Sequence, residues 1–339
     1  MCRLLVSIRS LTGAQDDNGD KYQLLFSENL GYNRDKVYPM NIWSDKQMII
    51  QWFPGHMAKT RRVISEHLKL VDVVVELLDA RIPQSSRNPE IDSIVRDKPR
   101  VIALNKSDLS DPELNDKWKD YFVKQGISVI YTNAITGEGL RELKEKLKQL
   151  TRKKLESAQA RGRIQRPVKT MVVGIPNVGK SAFINKIAGK ASAETGDRPG
   201  VTRSQQWVRI NPEIMLLDTP GILWPKFEDQ LTGLNLAFTG AIKDEIMDTT
   251  ELAAKLLERL AVLYPEKIKA RYKLESLENK KGFELLEEAG KKRGCLISGG
   301  EIDLNRIAAI VLDEFRGGKI GKITLEMPPE EDNHEEAHA

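Results

Sequence analysis

Eight consecutive residues near the middle of the chain have the types and spacing that bind the phosphates of a nucleotide. They run Gly174-Ile175-Pro176-Asn177-Val178-Gly179-Lys180-Ser181 and fit the pattern G-x-x-x-x-G-K-S. The glycines let backbone N–H groups point at an anion, and a helix that follows adds the positive end of its dipole. Lys180 would neutralise the outer phosphates, which gives it a catalytic role, and Ser181 would bind Mg²⁺. The predicted contacts to the nucleotide are Asn177, Val178, Gly179, Lys180, Ser181 and Ala182.

The segments on either side of this loop have the structure that such a loop requires. Residues 171–173 are apolar and partly β-branched, which predicts a buried strand. Residues 182–188 carry apolar side chains at helical spacing and are followed by Gly189, which predicts a helix. A chance glycine-rich turn is the alternative, and it would not need a strand before it and a helix after it.

A second motif selects the base. Asn105-Lys106-Ser107-Asp108 follows the strand-like residues 100–104 and fits N-K-x-D, the guanine-binding motif of GTPases. The carboxylate of Asp108 can accept hydrogen bonds from the ring N–H and the exocyclic amine of guanine, and adenine lacks this pair of donors. An unpaired buried carboxylate would be costly, so the motif discriminates between the bases. Alone it could be a solvated loop, but beside a phosphate loop it predicts guanine contacts from Asn105, Lys106 and Asp108.

Three further segments complete the pattern. Residues 133–139 follow a strand-like run and resemble the S-A-x loop that backs the guanine, with Asn133 where serine is usual, so the backbone N–H of Ala134 is the expected contact. Asp218-Thr219-Pro220-Gly221 fits D-x-x-G; Asp218 would hold Mg²⁺ through water and the Gly221 N–H would contact the γ-phosphate. Thr202 is the candidate switch threonine, with expected roles in Mg²⁺ binding and catalysis.

The order of these motifs differs from that of ordinary GTPases. Those proteins run from the phosphate loop through the switch threonine and D-x-x-G to N-K-x-D and S-A-x, whereas here the last two motifs come first. The chain therefore resembles the circularly permuted GTPases. Within them it is similar to the ribosome biogenesis GTPase A family, through Trp52-Phe53-Pro54-Gly55-His56-Met57-Ala58-Lys59, Asp79-Ala80-Arg81-Ile82-Pro83 and residues 218–225. The resemblance extends from about Met48 to about Glu326.

This resemblance implies an activity, partners and a location. It implies hydrolysis of GTP to GDP and phosphate with Mg²⁺, in late assembly of the large ribosomal subunit, and stimulation of the hydrolysis by that subunit. The expected partners are the rRNA and ribosomal proteins of the subunit, and the protein is expected to be a cytoplasmic monomer. A regulatory GTP switch with a protein effector and no rRNA role is one alternative, and a non-catalytic nucleotide-binding scaffold is another.

The catalytic machinery suggested by the sequence is incomplete. Many GTPases place a glutamine directly after D-x-x-G to orient water, but this chain has Ile222, and the resemblance places it among GTPases with a hydrophobic residue there. His56 is the candidate substitute, because a neutral imidazole can accept a hydrogen bond from water; alternatively, it anchors the N-terminus or a partner together with Trp52 and Phe53. Asn177 resembles the asparagine that helps to hold K⁺ in potassium-dependent GTPases, and otherwise it is a turn residue.

Composition limits the class of protein. The chain has 339 residues, of which 40% are hydrophobic and 30% charged, as expected for a globular protein of about two domains. Its net charge is only +4, so nucleic-acid binding would depend on local basic patches. Two cysteines argue against a disulfide scaffold and fit a reducing cytoplasm, and no apolar run is long enough to span a membrane.

The hydrophobic pattern divides the chain into four parts. Residues 1–47 are polar and are expected to be a disordered or non-native extension, with Met48 as the natural start. Strands alternate with helical stretches through residues 48–225, which predicts a doubly wound α/β GTPase domain with ligands at the carboxyl ends of its strands. Leucines at helical spacing in residues 226–327 predict a smaller helical domain, and residues 328–339 an acidic disordered tail.

Two basic features have open interpretations. Thr151–Pro167 is predicted to be a linker between the guanine half and the phosphate half, serving either as a solvated tether or as an RNA contact. The helical domain carries basic residues that either meet RNA phosphates or are simply solvated. They are Lys267, Lys269, Arg271, Lys273, Lys291, Lys292 and Arg293.

Overall fold

The computed structural model describes residues 66–95, 98–161, 166–189, 206–218 and 229–329. In these residues a six-stranded sheet has the order β3-β2-β1-β4-β6-β5, and only β5 runs antiparallel to its neighbour. The strands are β1 (Val73–Asp79), β2 (Arg100–Asn105), β3 (Ser128–Thr132), β4 (Val168–Val173), β5 (Gln206–Asn211) and β6 (Ile214–Asp218). All seven residues of β1 are buried, as expected for a central parallel strand that is covered on both faces.

Four helices pack against this sheet and form an α/β domain with it. They are α1 (Ile91–Val95), α2 (Pro112–Lys124), α3 (Leu140–Ala160) and α4 (Lys180–Ala188). Asp111 caps the start of helix α2, where its carboxylate accepts a hydrogen bond from the N–H of Glu113, and Pro112 is the first residue of the helix. The described strands and helices confirm the predicted fold class, an α/β domain followed by helices.

One face of the sheet contains a buried carboxyl group. Val74 and Leu78 of β1 belong to two separate hydrophobic clusters, and Glu76 lies between them on the same face. The carboxylate of Glu76 is 3.5 Å from Arg87 and 3.3 Å from Arg100. Burial raises the pKa of Glu76 to about 7, because the two arginine charges only partly offset the loss of hydration.

The predicted linker at Thr151–Pro167 is wrong over its first ten residues. Helix α3 continues through this stretch to Ala160, and the hydroxyl of Thr151 donates to the carbonyl oxygen of Leu147 within the helix. The stretch contains lysine, arginine, glutamate, leucine and alanine, which are good helix formers, and Gly162 is its first helix breaker. The basic residues Arg152 and Lys153 therefore lie on a helix rather than on a tether.

The chain after residue 229 is mostly helical. This helical region contains α5 (Gln230–Phe238), a 3₁₀ turn (Asp244–Ile246), α6 (Thr249–Leu263), α7 (Pro265–Tyr272), α8 (Gly282–Lys292) and α9 (Leu304–Arg316). Helix α6 packs against both α8 and α9, and its predicted leucine stripe is buried at Leu252, Leu256, Leu257 and Leu260. Asp248 and Asp303 accept hydrogen bonds from the first N–H groups of α6 and α9, which fixes where these helices begin.

An extended segment after α9, residues 320–326, returns to the α/β domain and is here called the C-terminal segment. The N–H of Ile323 donates to Leu109 O at 2.9 Å, and the N–H of Leu325 donates to Arg81 O at 2.8 Å. The carboxylate of Glu326 accepts hydrogen bonds from the backbone N–H groups of Gln84 and Ser85. The helical region is therefore connected to the α/β domain by backbone hydrogen bonds as well as by side chains.

Among the described residues, no helix is both long enough and apolar enough to span a membrane.

Candidate guanine-nucleotide site

The predicted nucleotide-binding loops meet at one edge of the sheet. The phosphate loop follows β4, the Asn105–Asp108 loop follows β2, and the Asn133 loop follows β3. These are carboxyl ends of parallel strands, and the chain path reverses between the adjacent strands β1 and β4. A doubly wound sheet binds its ligands at such a switch point.

The phosphate loop is closely packed against β1 and around its own lysine. A Cβ atom on Gly174 would lie 2.6 Å from Leu77 O, and Gly179 has a φ of 95°, so both positions require glycine. The ammonium group of Lys180 donates to Gly174 O at 3.1 Å and to Ile175 O at 3.0 Å. Since helix α4 begins at Lys180, its first N–H groups are at the loop, as an anion site requires.

The side chain of Asn105 connects the guanine loops to the phosphate loop. Its Nδ2 donates to Val178 O at 2.8 Å, and its Oδ1 accepts from the N–H of Ala134 at 3.1 Å. The hydroxyl of Thr132 lies 3.4 Å from the same oxygen. Asn105 is buried, so this amide is a clamp that holds three loops in one geometry.

The other residues of the guanine motif have different environments. Lys106 has a φ of 59°, and its ammonium group donates to Asn177 O at 2.8 Å. Asp108 is exposed, so its carboxylate is accessible to a ligand. The predicted guanine contacts of these residues are not tested by these distances and stay predictions.

The contacts of Asn133 explain why asparagine can occupy the position where serine is usual in this loop. The Oδ1 atom of Asn133 accepts from the N–H groups of Ile135 at 2.8 Å and Thr136 at 3.1 Å, so the side chain shapes the turn. The N–H of Ala134 already donates to Asn105, and a bond from it to guanine would have to be shared with that oxygen. The contact of Ala134 with guanine therefore stays a prediction.

Asp79 is a buried part of the site to which the sequence analysis gave no chemical role. It ends β1, and its carboxylate binds the guanidinium of Arg81 through Nε at 2.9 Å and Nη2 at 2.8 Å. The ammonium group of Lys106 is 3.1 Å from Asp79 Oδ2. Burial would raise the pKa of Asp79, but the charges of Arg81 and Lys106 outweigh it and hold this pKa well below its usual range. An acidic residue at the carboxyl end of a central strand was the signal that could have indicated it.

The structure describes only some of the residues that are predicted to bind metal or to take part in catalysis. His56, Thr202 and Gly221 lie outside the described residues. Asp218 ends β6, and its backbone pairs in register with Val172 of β4, next to the phosphate loop. Ser181 is the second residue of α4. The metal and catalytic assignments of these residues remain predictions.

The sheet topology, the phosphate loop and the clamp at Asn105 define a P-loop GTPase whose motifs are circularly permuted. A family model described as a 50S ribosome-binding GTPase matches residues 169–284. The chain is 52% identical over 283 residues to ribosome biogenesis GTPase A of Bacillus cereus, a match that covers 84% of this chain and 95% of the relative. It is 31% identical over 280 residues to the Thermotoga maritima protein of the same name, covering 82% of this chain and 95% of the relative.

Solved structures agree with these sequence matches. A GDP-bound structure of YlqF is similar with a TM-score of 0.58 and 30% identity, over 79% of this chain and 99% of that chain. GNP-bound YlqF from T. maritima gives the same TM-score of 0.58 at 29% identity, over 80% of this chain and 100% of that chain. The chain belongs to the ribosome biogenesis GTPase A family, as the sequence resemblance predicted, and it is a GTP-hydrolysing enzyme.

Proposed function

We propose that this GTPase acts in late assembly of the large ribosomal subunit and that the subunit stimulates its GTP hydrolysis. Relatives with about half of their residues identical carry the name ribosome biogenesis GTPase A. The span matched by the 50S ribosome-binding model, residues 169–284, includes the phosphate loop and helices α5 to α7. In this role the protein works in the cytoplasm as a monomer, with rRNA and ribosomal proteins as partners.

The observation that carries the proposal is a direct contact between the phosphate loop and the helical region. The Nδ2 atom of Asn177 donates to Thr239 O, at the end of α5, over 3.3 Å. A Cβ atom on Gly240 would lie 2.9 Å from the same Nδ2 atom, so the two segments are closely packed. A change at the phosphates would therefore reach the helical region through one side chain, as a nucleotide-controlled binding surface requires.

The helical region offers a basic surface for RNA phosphates. Lys273, Lys291 and Lys292 are exposed at the ends of α7 and α8. Arg271 and Arg293 both bind the carboxylate of Glu314, which fixes the orientation of their guanidinium groups. Contacts between such groups and phosphates release counterions, so binding that depends on them weakens as salt rises.

The donor groups of the site fit Mg²⁺ and K⁺. Hydroxyl and carboxylate oxygens from Ser181, Thr202 and Asp218 are ligands that Mg²⁺ prefers, and the ion would neutralise charge on the β- and γ-phosphates. Because Nδ2 of Asn177 donates to Thr239, the acceptor oxygen of the amide is its other end, which has the chemistry of a K⁺ ligand. A higher turnover in KCl than in NaCl at equal ionic strength would support the K⁺ assignment, and equal rates would refute it.

The missing water-orienting group is assigned to His56. Ile222 has no polar atom in its side chain, so the isolated protein is expected to turn over slowly. In His56→Ala, stimulation by the large subunit should be lost while the affinities for nucleotide and for the subunit are retained. Stimulation that is retained in His56→Ala would refute the catalytic role of His56. A loss of subunit affinity as large as the loss of stimulation would indicate that His56 is an anchor.

The decisive experiment combines co-sedimentation with turnover. Large subunits are sedimented with the protein in GDP and in a non-hydrolysable GTP analogue, and GTP turnover is measured with and without subunits. The double variant Lys291→Gln/Lys292→Gln should bind subunits more weakly and with a lower salt dependence. Lys117→Gln/Arg141→Gln removes the same charge from exposed positions of the α/β domain and should bind like the wild type.

Other results of these experiments would favour the alternative functions. Nucleotide-dependent binding to a protein without any association with subunits or rRNA would support a regulatory switch. Absence of GTP turnover with subunits present would contradict the stimulation that is proposed here.

A further inference from the structure

A closed ring of polar contacts connects Lys106, the lysine of the guanine motif, to the last turn of α9. The ring runs through Lys106, Asp79, Arg81, Arg316 and Asn177, and we call it the coupling ring. None of its members is the predicted γ-phosphate contact, Gly221, so the coupling ring is separate from the D-x-x-G motif.

The first side of the ring places Lys106. Its ammonium group lies between Asp79 Oδ2, at 3.1 Å, and Asn177 O, at 2.8 Å. Asp79 is 1% exposed, so its carboxylate depends on protein partners for its hydrogen bonds. The position of the lysine therefore follows the position of this carboxylate.

The second side fixes Asp79 through Arg81. The guanidinium binds both carboxylate oxygens, and its Nη1 donates to the carbonyl oxygen of Arg316 at 3.2 Å. It also lies over the ring of Phe315, 5.3 Å from the centroid. Arg81 is 1% exposed, so the buried arginine of the α/β domain is held by the last turn of α9.

The third side returns to the phosphate loop. The side chain of Arg316 donates to Phe238 O and Ala237 O, both at 3.0 Å, and binds the carboxylate of Asp244. These bonds complete the carboxyl end of α5, whose next residue, Thr239, accepts from Asn177. The backbone of Asn177 accepts from Lys106, and the ring is closed.

We propose that Arg81 and Arg316 are positioning residues for Lys106, so that affinity for the guanine nucleotide depends on docking of the helical region at α9. The effect acts on the guanine end of the site, and GDP and GTP therefore gain the same affinity from it. By linkage, either nucleotide strengthens the docking by the same factor.

The coupling ring shares the bond from Asn177 to Thr239 with the proposed role on the ribosome, but its test does not involve the ribosome. The coupling is measured on the isolated full chain, so a failure of ribosome binding would leave it standing. Its own failure would in turn leave the ribosomal role intact.

The test uses Arg316→Gln, a change at a side chain that is 20% exposed and outside the buried core. Dissociation constants for GDP and GTP are measured by calorimetric titration without ribosomal subunits. Both should rise by the same factor, on the order of 10, with one nucleotide bound per protein. A protein that is merely less stable would show a lower fraction of active sites at an unchanged dissociation constant.

Three further variants complete the design. Arg306→Gln removes the same charge from an exposed arginine near the start of α9, and it should bind both nucleotides like the wild type. Arg81→Met cuts the ring at its centre and should weaken both nucleotides at least as much as Arg316→Gln. Arg316→Lys, which keeps the charge and can still donate to one carbonyl, should restore part of the affinity.

Two results would overturn the proposal. One is wild-type affinity for both nucleotides in Arg316→Gln. The other is a loss confined to GTP, which would assign the effect to the γ-phosphate side of the site.

Discussion

Replacing the amide of Asn105 by a carboxyl group tests whether the clamp between the loops controls nucleotide binding. Asn105→Asp keeps the shape of the side chain and the acceptor that faces the N–H of Ala134. It places an oxygen where Nδ2 donates to Val178 O at 2.8 Å. Two acceptors would then face each other in a buried position, and the phosphate loop would lose its bond to the guanine loops.

The magnitude follows from the unpaired group. A buried acceptor without a donor costs about 1–3 kcal/mol. The loops can relieve this cost by separating, but binding requires them together, so the cost appears in the affinity. At 1.4 kcal/mol per factor of ten, GDP should bind roughly 5–150-fold more weakly at neutral pH.

The pH dependence of GDP binding distinguishes this explanation from general damage. Burial and the neighbouring carbonyl group would raise the pKa of the introduced carboxyl, and its protonated form can donate to Val178 O. Affinity in the variant should therefore recover as the pH falls from 8 to 6, relative to the wild type. Asn105→Ala, which cannot be protonated, is the control and should show no recovery. Equal deficits for Asn105→Asp at both pH values would refute the reasoning.

Four other predictions follow from residues described above. Asp108→Asn should shift preference from GTP toward xanthosine triphosphate, and unchanged GTP affinity would remove Asp108 from the site. Gly139→Ala should lower the melting temperature sharply, because the new Cβ would lie 1.8 Å from Tyr131 O and φ is 75°. In denaturant unfolding the wild type should lose about 3 kcal/mol of stability as the pH rises from 4.5 to 7, because folded Glu76, with its raised pKa, holds a proton that the unfolded chain releases. Glu76→Gln should abolish this loss. A chain starting at Met48 should bind GTP like the full chain, and a lower affinity would place part of the site before it.

Local patterns predicted the elements that carry the chemistry. Strands β1 and β2 are nearly continuous apolar runs, and β4 ends in the apolar residues 171–173. Asn105 and the phosphate loop directly follow the runs in β2 and β4. The position of a motif at the carboxyl end of a parallel strand then fixes where it lies in the fold. This is why the permuted order of the motifs did not obscure the site.

Contacts between residues that are far apart in the chain could not be predicted from the sequence. Arg81 was used only as part of a resemblance, and its bond to Arg316 joins positions that are 235 residues apart. The linker prediction at Thr151 failed for another reason, because basic charge was taken as a sign of a tether where helix propensity decided the structure. A buried ion pair leaves no periodic pattern, so Asp79 could be indicated only by its place at the end of a strand.

The C-terminal segment has a consequence for the order in which the protein folds during synthesis. Strands β1 to β3 and helix α2 are made first, and they can pair locally before the phosphate loop exists. The backbone groups of Arg81 and Leu109 that bind this segment must wait until more than 200 further residues have been added. Contacts of such high sequence separation are slow to form, so the sheet of a newly made chain would be assembled before the helical region docks on it. Until then the backbone groups of Arg81 and Leu109 await the partners that the finished chain supplies, and chaperones would have their longest access to the nascent chain in that interval.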